Sequence, residues 1–138
     1  MLFRSDLRAT TVSGSEIPSL TDELPLVAVL GARAEGETRI ADAAELRAKE
    51  SDRIAALVAN LRGLGAEVEE HPDGLVVSGS DRPLSGTVRS FGDHRIAMSF
   101  ATLATAESCE IEIEDRGVTA VSFPGFWTMI DSLTRGRA

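Results

Sequence analysis

The sequence predicts an α/β protein made of two related helix–strand–helix modules. Helical and strand-like segments alternate along the chain, and the same order of segments occurs twice. Asp22 and Asp93 each precede a helical segment, while Thr38 and Cys109 each lie in or beside a strand-like one, and both pairs are separated by 71 residues. A repeated order at one spacing is typical of a duplicated structural unit.

Two segments in the first half have the pattern of helices. Residues 22–35 are apolar on nearly all sides, with Asp22 as the expected N-cap, Pro25 in the tolerated first turn and Gly36 after the end. Residues 50–64 have the spacing of an amphipathic helix, with apolar side chains at Ile54, Leu57, Val58, Leu61 and Leu64. We expect both helices to be partly buried.

Short strands and further helices complete the prediction. The Pro-Asp-Gly turn at residues 72–74 lies between two extended segments and predicts a β-hairpin. The other predicted strands are residues 38–41, 87–89 and 110–114, and the other predicted helices are residues 96–106 and 126–133.

Composition excludes several classes of function. The formal net charge of −8 argues against a nucleic-acid or anionic-membrane surface, although a small anionic ligand remains compatible with it. No apolar run approaches the roughly 20 residues that cross a bilayer, and residues 1–6 lack the features of a secretory signal. Cys109 is the single cysteine, which leaves no internal disulfide and no CxxC pair for zinc. We therefore expect a cytoplasmic protein without a metal site.

A polar segment, Lys49-Glu50-Ser51-Asp52-Arg53, precedes the second helical pattern. It could be a solvated first turn, since acidic residues are common there. Lys49 and Arg53 are four residues apart, which would place both cations on one side of a helix with Glu50 between them. That arrangement would form an anion site containing a group able to donate or accept a proton.

Two more segments carry polar groups beside predicted helices. Asp93 in Gly92-Asp93-His94-Arg95 is an expected N-cap, with Arg95 a candidate fork for a carboxylate or phosphate and His94 a neighbouring polar group. Asp22 could likewise be a simple cap, or a carboxylate placed to accept a proton from a hydroxyl. The segment 122–127 predicts a structural role, with a turn followed by packing of its aromatic side chains.

Taken together, the segments resemble the EPSP synthase (3-phosphoshikimate 1-carboxyvinyltransferase) family, in its carboxy-terminal part. The resemblance covers nearly the whole chain, in the family's order and at about its spacing. The matching segments are Ile17-Pro18 to Pro25, Glu45 to Ile54, Gly92 to Met98, and Ser122 to Phe126. The sister enolpyruvyl transferase that acts on UDP-N-acetylglucosamine shares the fold but lacks the Lys-Glu-Ser-Asp-Arg and Asp-His-Arg segments.

The resemblance implies a fold of repeated βαβαββ units, residues 1–78 forming the first and 79–138 the second. It implies transfer of the enolpyruvyl group of phosphoenolpyruvate to the 5-hydroxyl of shikimate 3-phosphate, with release of phosphate and without metal or organic cofactor. Asp22 would bind the shikimate hydroxyls and accept the proton, and Glu50 would protonate the methylene carbon. The substrate contacts would come from Lys49, Arg53 and Arg95, with His94 as a neighbour.

The chain departs from the family in two places and in its extent. Val121 stands where many members have a lysine, and Glu45 stands where some have a substrate-binding asparagine. The amino-terminal motifs of the family are not in this sequence, so we expect the chain alone to be inactive, because an open half-site cannot close over substrates. A stand-alone binding or regulatory module with the same fold is the alternative.

Overall fold

The computed structural model describes residues 7–135, with the backbone alone for Val121 and Arg135. The first six residues, where the sequence predicts no secretory signal, lie outside the described residues. The order of elements is β1 (Thr11–Val12), α1 (Ile17–Leu20), α2 (Leu24–Gly31), β2 (Glu37–Ile40), α3 (Arg53–Leu64), β3 (Glu67–His71), β4 (Gly74–Ser78), β5 (Leu84–Val88), α4 (His94–Leu103), β6 (Cys109–Ile113) and α5 (Phe126–Arg135), with short 3-10 helices at Gly14–Glu16, Ala44–Ala48 and Arg116–Val121.

The first half of the chain forms a four-stranded sheet in the order β1-β2-β4-β3. Strands β1 and β2 are parallel, and β4 runs antiparallel to both of its neighbours. The hairpin predicted from Pro-Asp-Gly is confirmed, because β3 and β4 pair from Glu67 opposite Ser78 to His71 opposite Gly74. The central position of β4 explains its apolar composition, since four of its five residues are buried.

The second half contains a parallel pair of strands, β5 and β6, with Leu84 opposite Cys109 and Val88 opposite Ile113. Helix α4 connects these strands in the same way that α2 connects β1 and β2, and α3 and α5 follow in equivalent places. The α/β class is confirmed. Within residues 7–135 the first half contains a complete βαβαββ unit and the second half a βαβα unit, while the division at residue 78 stays a prediction.

Helices α2, α3 and α4 pack together between the sheets and form one apolar core. Its fully buried members include side chains from every layer, among them Leu24, Ile54, Leu57, Leu61, Leu75, Leu84, Ile96 and Phe100. The amphipathic spacing predicted for the second helix is confirmed, since its five apolar positions are all buried. Within residues 7–135, no helix is both long enough and apolar enough to cross a membrane.

Both predicted helices begin later than the sequence indicated. Helix α2 starts at Leu24 with Glu23 as its N-cap, so the prediction of Asp22 as N-cap is wrong. The carboxylate of Asp22 is instead engaged by an arginine from α3. Helix α2 also ends at Gly31, five residues before Gly36, because the chain turns there toward β2.

Helix α3 begins at Arg53 because Asp52 caps it, accepting a hydrogen bond from the Ala55 amide at 3.0 Å. Lys49 and Glu50 therefore lie in the preceding loop, and the prediction that Lys49 and Arg53 share one side of a helix is wrong. The far end agrees with the sequence, since Gly65 ends the helix with a φ of 101°.

Arg33 and Gly79 fix the connection between the two sheets. The guanidinium of Arg33 donates to the carbonyl oxygens of Ser80 and Arg82 at 2.8 and 2.6 Å, and it also reaches the backbone just before β6. A Cβ at residue 79 would lie 1.5 Å from the Ala34 carbonyl oxygen, so only glycine allows this close approach. These contacts fix the end of α2 against the segments that precede β5 and β6.

Candidate active site

Arg53, the first residue of α3, lies at the centre of the site. Its side chain is 1% exposed, and among the described residues its guanidinium donates only to carboxylates. Nε and Nη2 bind the two oxygens of Asp93 at 2.8 and 3.3 Å. Nη2 also binds Glu50 at 2.7 Å, and Nη1 binds Asp22 at 3.2 Å. One buried cation thus holds three carboxylates from distant parts of the sequence.

The fold explains how these groups meet. Asp22 lies in the turn between α1 and α2, Glu50 in the loop before α3, and Asp93 at the start of α4. Helices α2 and α4 pack side by side, and α3 contacts both. The amino-terminal ends of the three helices therefore face a common point, where backbone N–H groups add positive potential.

Asp93 is fully buried and is the N-cap of α4, as the sequence predicts. It accepts hydrogen bonds from the Arg95 amide at 2.9 Å and from the Ser51 hydroxyl at 2.8 Å, in addition to those from Arg53. Burial favours the neutral acid, but the hydrogen bonds from Arg53 and Ser51 and the nearby guanidinium charge outweigh it. The pKa of Asp93 is therefore lowered below its usual value.

The same balance applies to Arg53. Burial disfavours the charged guanidinium, but the hydrogen bonds and charge of Asp93, with the contributions of Asp22 and Glu50, raise its pKa above the usual value. Asp93 and Arg53 are therefore both charged at neutral pH. A buried charge at this position is tolerated because each of its nitrogens has a partner.

Arg95 adds a second cation at the surface of the site. Its Nη2 lies 3.6 Å from Asp22 Oδ2, and 39% of its side chain is exposed. Asp22 therefore has one oxygen on the buried arginine and the other beside the exposed one. The side chains of Asp22 and Glu50 are 53% and 52% exposed, so both carboxylates open toward solvent.

Four of the predicted site residues are thus brought together, namely Asp22, Glu50, Arg53 and Arg95. Lys49 is exposed in the loop beside Glu50, and His94 is half-buried at the first position of α4. Glu45 lies at the margin, where its carboxylate accepts from the Thr21 hydroxyl at 3.3 Å.

Two members of the network were not predicted as such. Asp93 was identified only as a cap, and Ser51 was assigned no contact. Asp93 binds Arg53, and Ser51 binds Asp93, through contacts that span about 40 residues of sequence. Helix-cap patterns carry no information on contacts of that range. The side chain of Val121, the position of the family's lysine, lies outside the described residues.

The chemistry of this arrangement is that of anion binding and proton transfer. An exposed arginine and the positive ends of helices attract carboxylate or phosphate groups. Two half-exposed carboxylates next to them can accept or donate protons. Among the described residues no group of three or more His, Cys, Asp and Glu side chains could hold a metal ion.

Comparison with protein-family models matches residues 2–130 to the family described as EPSP synthase (3-phosphoshikimate 1-carboxyvinyltransferase). A 3-phosphoshikimate 1-carboxyvinyltransferase from Syntrophomonas wolfei is 49% identical over 135 residues, covering 97% of this chain and 32% of that protein. One from Desulforudis audaxviator is 51% identical over 129 residues, covering 94% of this chain and 30% of that protein. The chain thus spans about a third of the length of these curated relatives.

Solved structures agree with the sequence comparison. An EPSP synthase from Acinetobacter baumannii superimposes with a TM-score of 0.83 at 33% identity, covering 94% of this chain and 30% of that one. The enolpyruvyl transferase NikO from Streptomyces tendae has a TM-score of 0.72 at 22% identity, which is a similarity of fold.

Proposed function

We propose that this chain, which belongs to the EPSP synthase (3-phosphoshikimate 1-carboxyvinyltransferase) family, supplies one wall of an enolpyruvyl transferase site. The reaction is transfer of the enolpyruvyl group of phosphoenolpyruvate to the 5-hydroxyl of shikimate 3-phosphate, with release of phosphate. One observation carries the proposal. Asp22, Glu50, Arg53 and Arg95, which come from three separate segments, form a single cluster with two exposed carboxylates and an exposed arginine.

Proton transfers are assigned to the two half-exposed carboxylates. Glu50 donates a proton to the methylene carbon of phosphoenolpyruvate, which leaves a positively charged centre on the adjacent carbon. The 5-hydroxyl oxygen of shikimate 3-phosphate bonds to that carbon while Asp22 accepts the hydroxyl proton. Asp22 returns its proton to the departing phosphate, and a methyl proton returns to Glu50 as the double bond re-forms, so both carboxylates end in their starting protonation states.

The two arginines have different roles in this proposal. Arg95 is the more accessible cation, because its contact with Asp22 is a single 3.6 Å ion pair. Arg53 is buried with all of its nitrogens on carboxylates, so phosphoenolpyruvate can reach it only by displacing Asp22 or Glu50 from it. Lys49 would contact the phosphate of shikimate 3-phosphate, and His94 would line the site. These roles rest on the resemblance of the motifs to those of the family.

The rest of the site is assigned to the part of the enzyme that this chain does not span. Its relatives are about three times longer, and we propose that an amino-terminal domain provides the remaining cations and excludes water on closure. The boundary between units at residues 78 and 79, the absence of a metal or organic cofactor and a cytoplasmic location belong to the same proposal.

The test is release of phosphate from both substrates by the purified 138-residue chain, with and without a separately purified amino-terminal part of a relative. We expect no turnover by the chain alone, because a misplaced or missing group costs on the order of 100-fold each. Turnover should appear with the added part. It should then fall about 100-fold or more in Glu50→Gln and Asp22→Asn. It should remain unchanged in Glu110→Gln, a control at an exposed position of β6.

Two results would contradict the proposal. Turnover by the chain alone at the rate of a complete enzyme would show that no second wall is needed. Failure of the added part to produce turnover, combined with binding of another ligand by the chain, would favour a stand-alone binding module instead.

A further inference from the structure

The loop that joins β5 to α4, residues 89–92, delivers Asp93 to Arg53. Two of its residues have positive φ angles, 55° at Phe91 and 75° at Gly92. Phe91 is a non-glycine residue in the left-handed region and is 45% exposed. Such a backbone is unfavourable by roughly 1 kcal/mol and persists only where other contacts hold it. The loop conformation therefore needs partners outside the loop.

Asn60 is the first partner. Its side chain, in a residue that is 7% exposed, donates from Nδ2 to the Arg89 carbonyl at 2.8 Å and accepts the Arg89 amide at Oδ1 at 3.1 Å. Asn60 lies two turns after Arg53 on α3, so both side chains project on about the same side of the helix. Helix α3 consequently binds both sides of the loop, Arg89 through Asn60 and Asp93 through Arg53.

Asp115 is the second partner and comes from the segment after β6. Its carboxylate accepts from the Ser90 amide at 3.2 Å and from the Ser90 hydroxyl. That hydroxyl, in a fully buried residue, also accepts the Gly92 amide at 3.1 Å. Three polar groups of the loop, the amide and hydroxyl of Ser90 and the amide of Gly92, are thereby tied, directly or through Ser90, to one carboxylate.

We propose that Asn60 and Asp115 are positioning residues for the site. Neither forms a hydrogen bond or ion pair with Asp22, Glu50 or Arg53, but together they hold the loop so that Asp93 reaches Arg53, which in turn orients the two exposed carboxylates. The catalytic part of this inference rests on the proposed function. The structural part does not, since it concerns only the placement of the loop and of Asp93, whose contact with the Arg95 amide can be followed in the chain alone.

We call the hydrogen bonds of Asn60 to Arg89 and of Asp115 to Ser90 the loop clasp. Two substitutions break the loop clasp, and two serve as controls. Asn60→Asp keeps the side-chain size but places a carboxylate oxygen against the Arg89 carbonyl, and Asp115→Ala removes both acceptors. Asp115→Asn is the conservative variant, because the Ser90 hydroxyl can rotate to accept from the new amide. Val77→Ala, in the buried middle of β4, lowers global stability by creating a cavity without touching the loop.

The first measurement is amide hydrogen exchange by NMR in the 138-residue chain. The Arg95 amide, which donates to Asp93, reports on the loop, and the Val76 amide in β4 reports on global opening. We expect Val77→Ala to accelerate both amides by a similar factor. Asn60→Asp and Asp115→Ala should accelerate Arg95 at least about tenfold more than Val76, and Asp115→Asn should resemble the wild type.

The second measurement is kinetic and uses the enzyme complemented with the amino-terminal part. Asn60→Asp and Asp115→Ala should lower kcat by about 10- to 100-fold with a smaller change in KM, because the proton-transfer groups lose their orientation. Absence of turnover in the wild type would count against the proposed function, while the exchange result would still decide the positioning role. Equal acceleration at Arg95 and Val76 in Asp115→Ala, which leaves the core intact, would overturn the inference.

Discussion

Asp52 and Asp93 perform the same local task in two regions of the molecule. Each is the N-cap of a helix, and each accepts a backbone amide, at 3.0 Å from Ala55 and at 2.9 Å from Arg95. Each also pairs with an arginine. The side chain of Asp52 is 40% exposed, whereas Asp93 is fully buried. Burial, and not the capping contact, separates the surface pair from the pair at the centre of the candidate site.

The two arginine partners show the same difference. Arg47 is 29% exposed and binds Asp52 and Glu70 together with the carbonyl oxygens of Pro72 and His71, so it braces the β3–β4 turn. Arg53 is 1% exposed and, within residues 7–135, binds carboxylates alone. A buried cluster of charges tolerates the loss of a member poorly, because the remaining charge cannot return to water. The variants below test whether that difference decides stability.

The largest effect is expected for Asp93→Asn. Asparagine is as good an N-cap as aspartate, so the helix start is preserved while Arg53 loses its buried counter-charge. We expect the free energy of unfolding to fall by about 3 to 5 kcal/mol, measured by urea denaturation of the 138-residue chain. A loss below about 1 kcal/mol would show that Asp22 and Glu50 suffice to neutralise Arg53.

Lowering the pH should reveal the contribution of Asp93 to stability. Because the pKa of Asp93 is lowered in the folded chain, the unfolded chain takes up this proton first as pH falls below the usual value of 3.8. The stabilisation is fully present above that pH and is lost as pH falls through the lowered folded value.

Urea denaturation from pH 7 down to about pH 2.5 checks this prediction. The difference in unfolding free energy between the wild type and Asp93→Asn should be constant above about pH 5 and shrink below pH 3.8. Val77→Ala, which removes no titrating group, is the control, and its loss of stability should be the same at every pH. A difference that stays constant down to the lowest pH would show that Asp93 is not the titrating group.

The sequence predicted those features of the fold that depend on local patterns of residues. The spacing of apolar residues predicted the buried face of α3, Pro-Asp-Gly predicted the hairpin, and an aspartate after a glycine predicted the cap of α4. The predicted cluster of Asp22, Lys49, Glu50, Arg53 and Arg95 came from the resemblance of motifs. Ion pairs in the structure join four of the five, Asp22, Glu50, Arg53 and Arg95.

The remainder depends on contacts between distant segments. Asp22 and Asp52 are both acceptable caps by residue type, but Asp22 is drawn to Arg53 while Asp52 is free to cap α3. In the loop clasp, Asn60 binds Arg89, which is 29 residues away and begins a loop with positive φ angles. No local propensity encodes such pairings, because packing of the three helices decides them.

A smaller effect is expected for Ser51→Ala, which removes one of the hydrogen bonds to the buried Asp93 carboxylate. The loss should be about 1 to 2 kcal/mol in the wild type, since a hydrogen bond to a charged group is stronger than one between neutral groups. In the Asp93→Asn background the same substitution should cost less than about 0.5 kcal/mol, because its charged partner is gone. Additive losses in urea denaturation would show that Ser51 acts independently of Asp93.

The smallest effect is expected for Asp52→Asn, the surface counterpart of the first variant. The cap to Ala55 is retained by asparagine, so only the partly exposed ion pair with Arg47 and the favourable charge at the helix start are lost. Exposed pairs contribute up to about 1 kcal/mol, and Arg47 keeps Glu70 and two carbonyl oxygens as partners. The expected loss is therefore below about 1 kcal/mol.

It should shrink further in about 1 M salt, where charges at the surface are screened within about 3 Å, while the loss in Asp93→Asn should persist because water and ions do not reach that carboxylate. A loss in Asp52→Asn that equals that of Asp93→Asn and resists salt would mean that the network around Arg47 is as indispensable as the one around Arg53, and that burial is not what distinguishes the two caps.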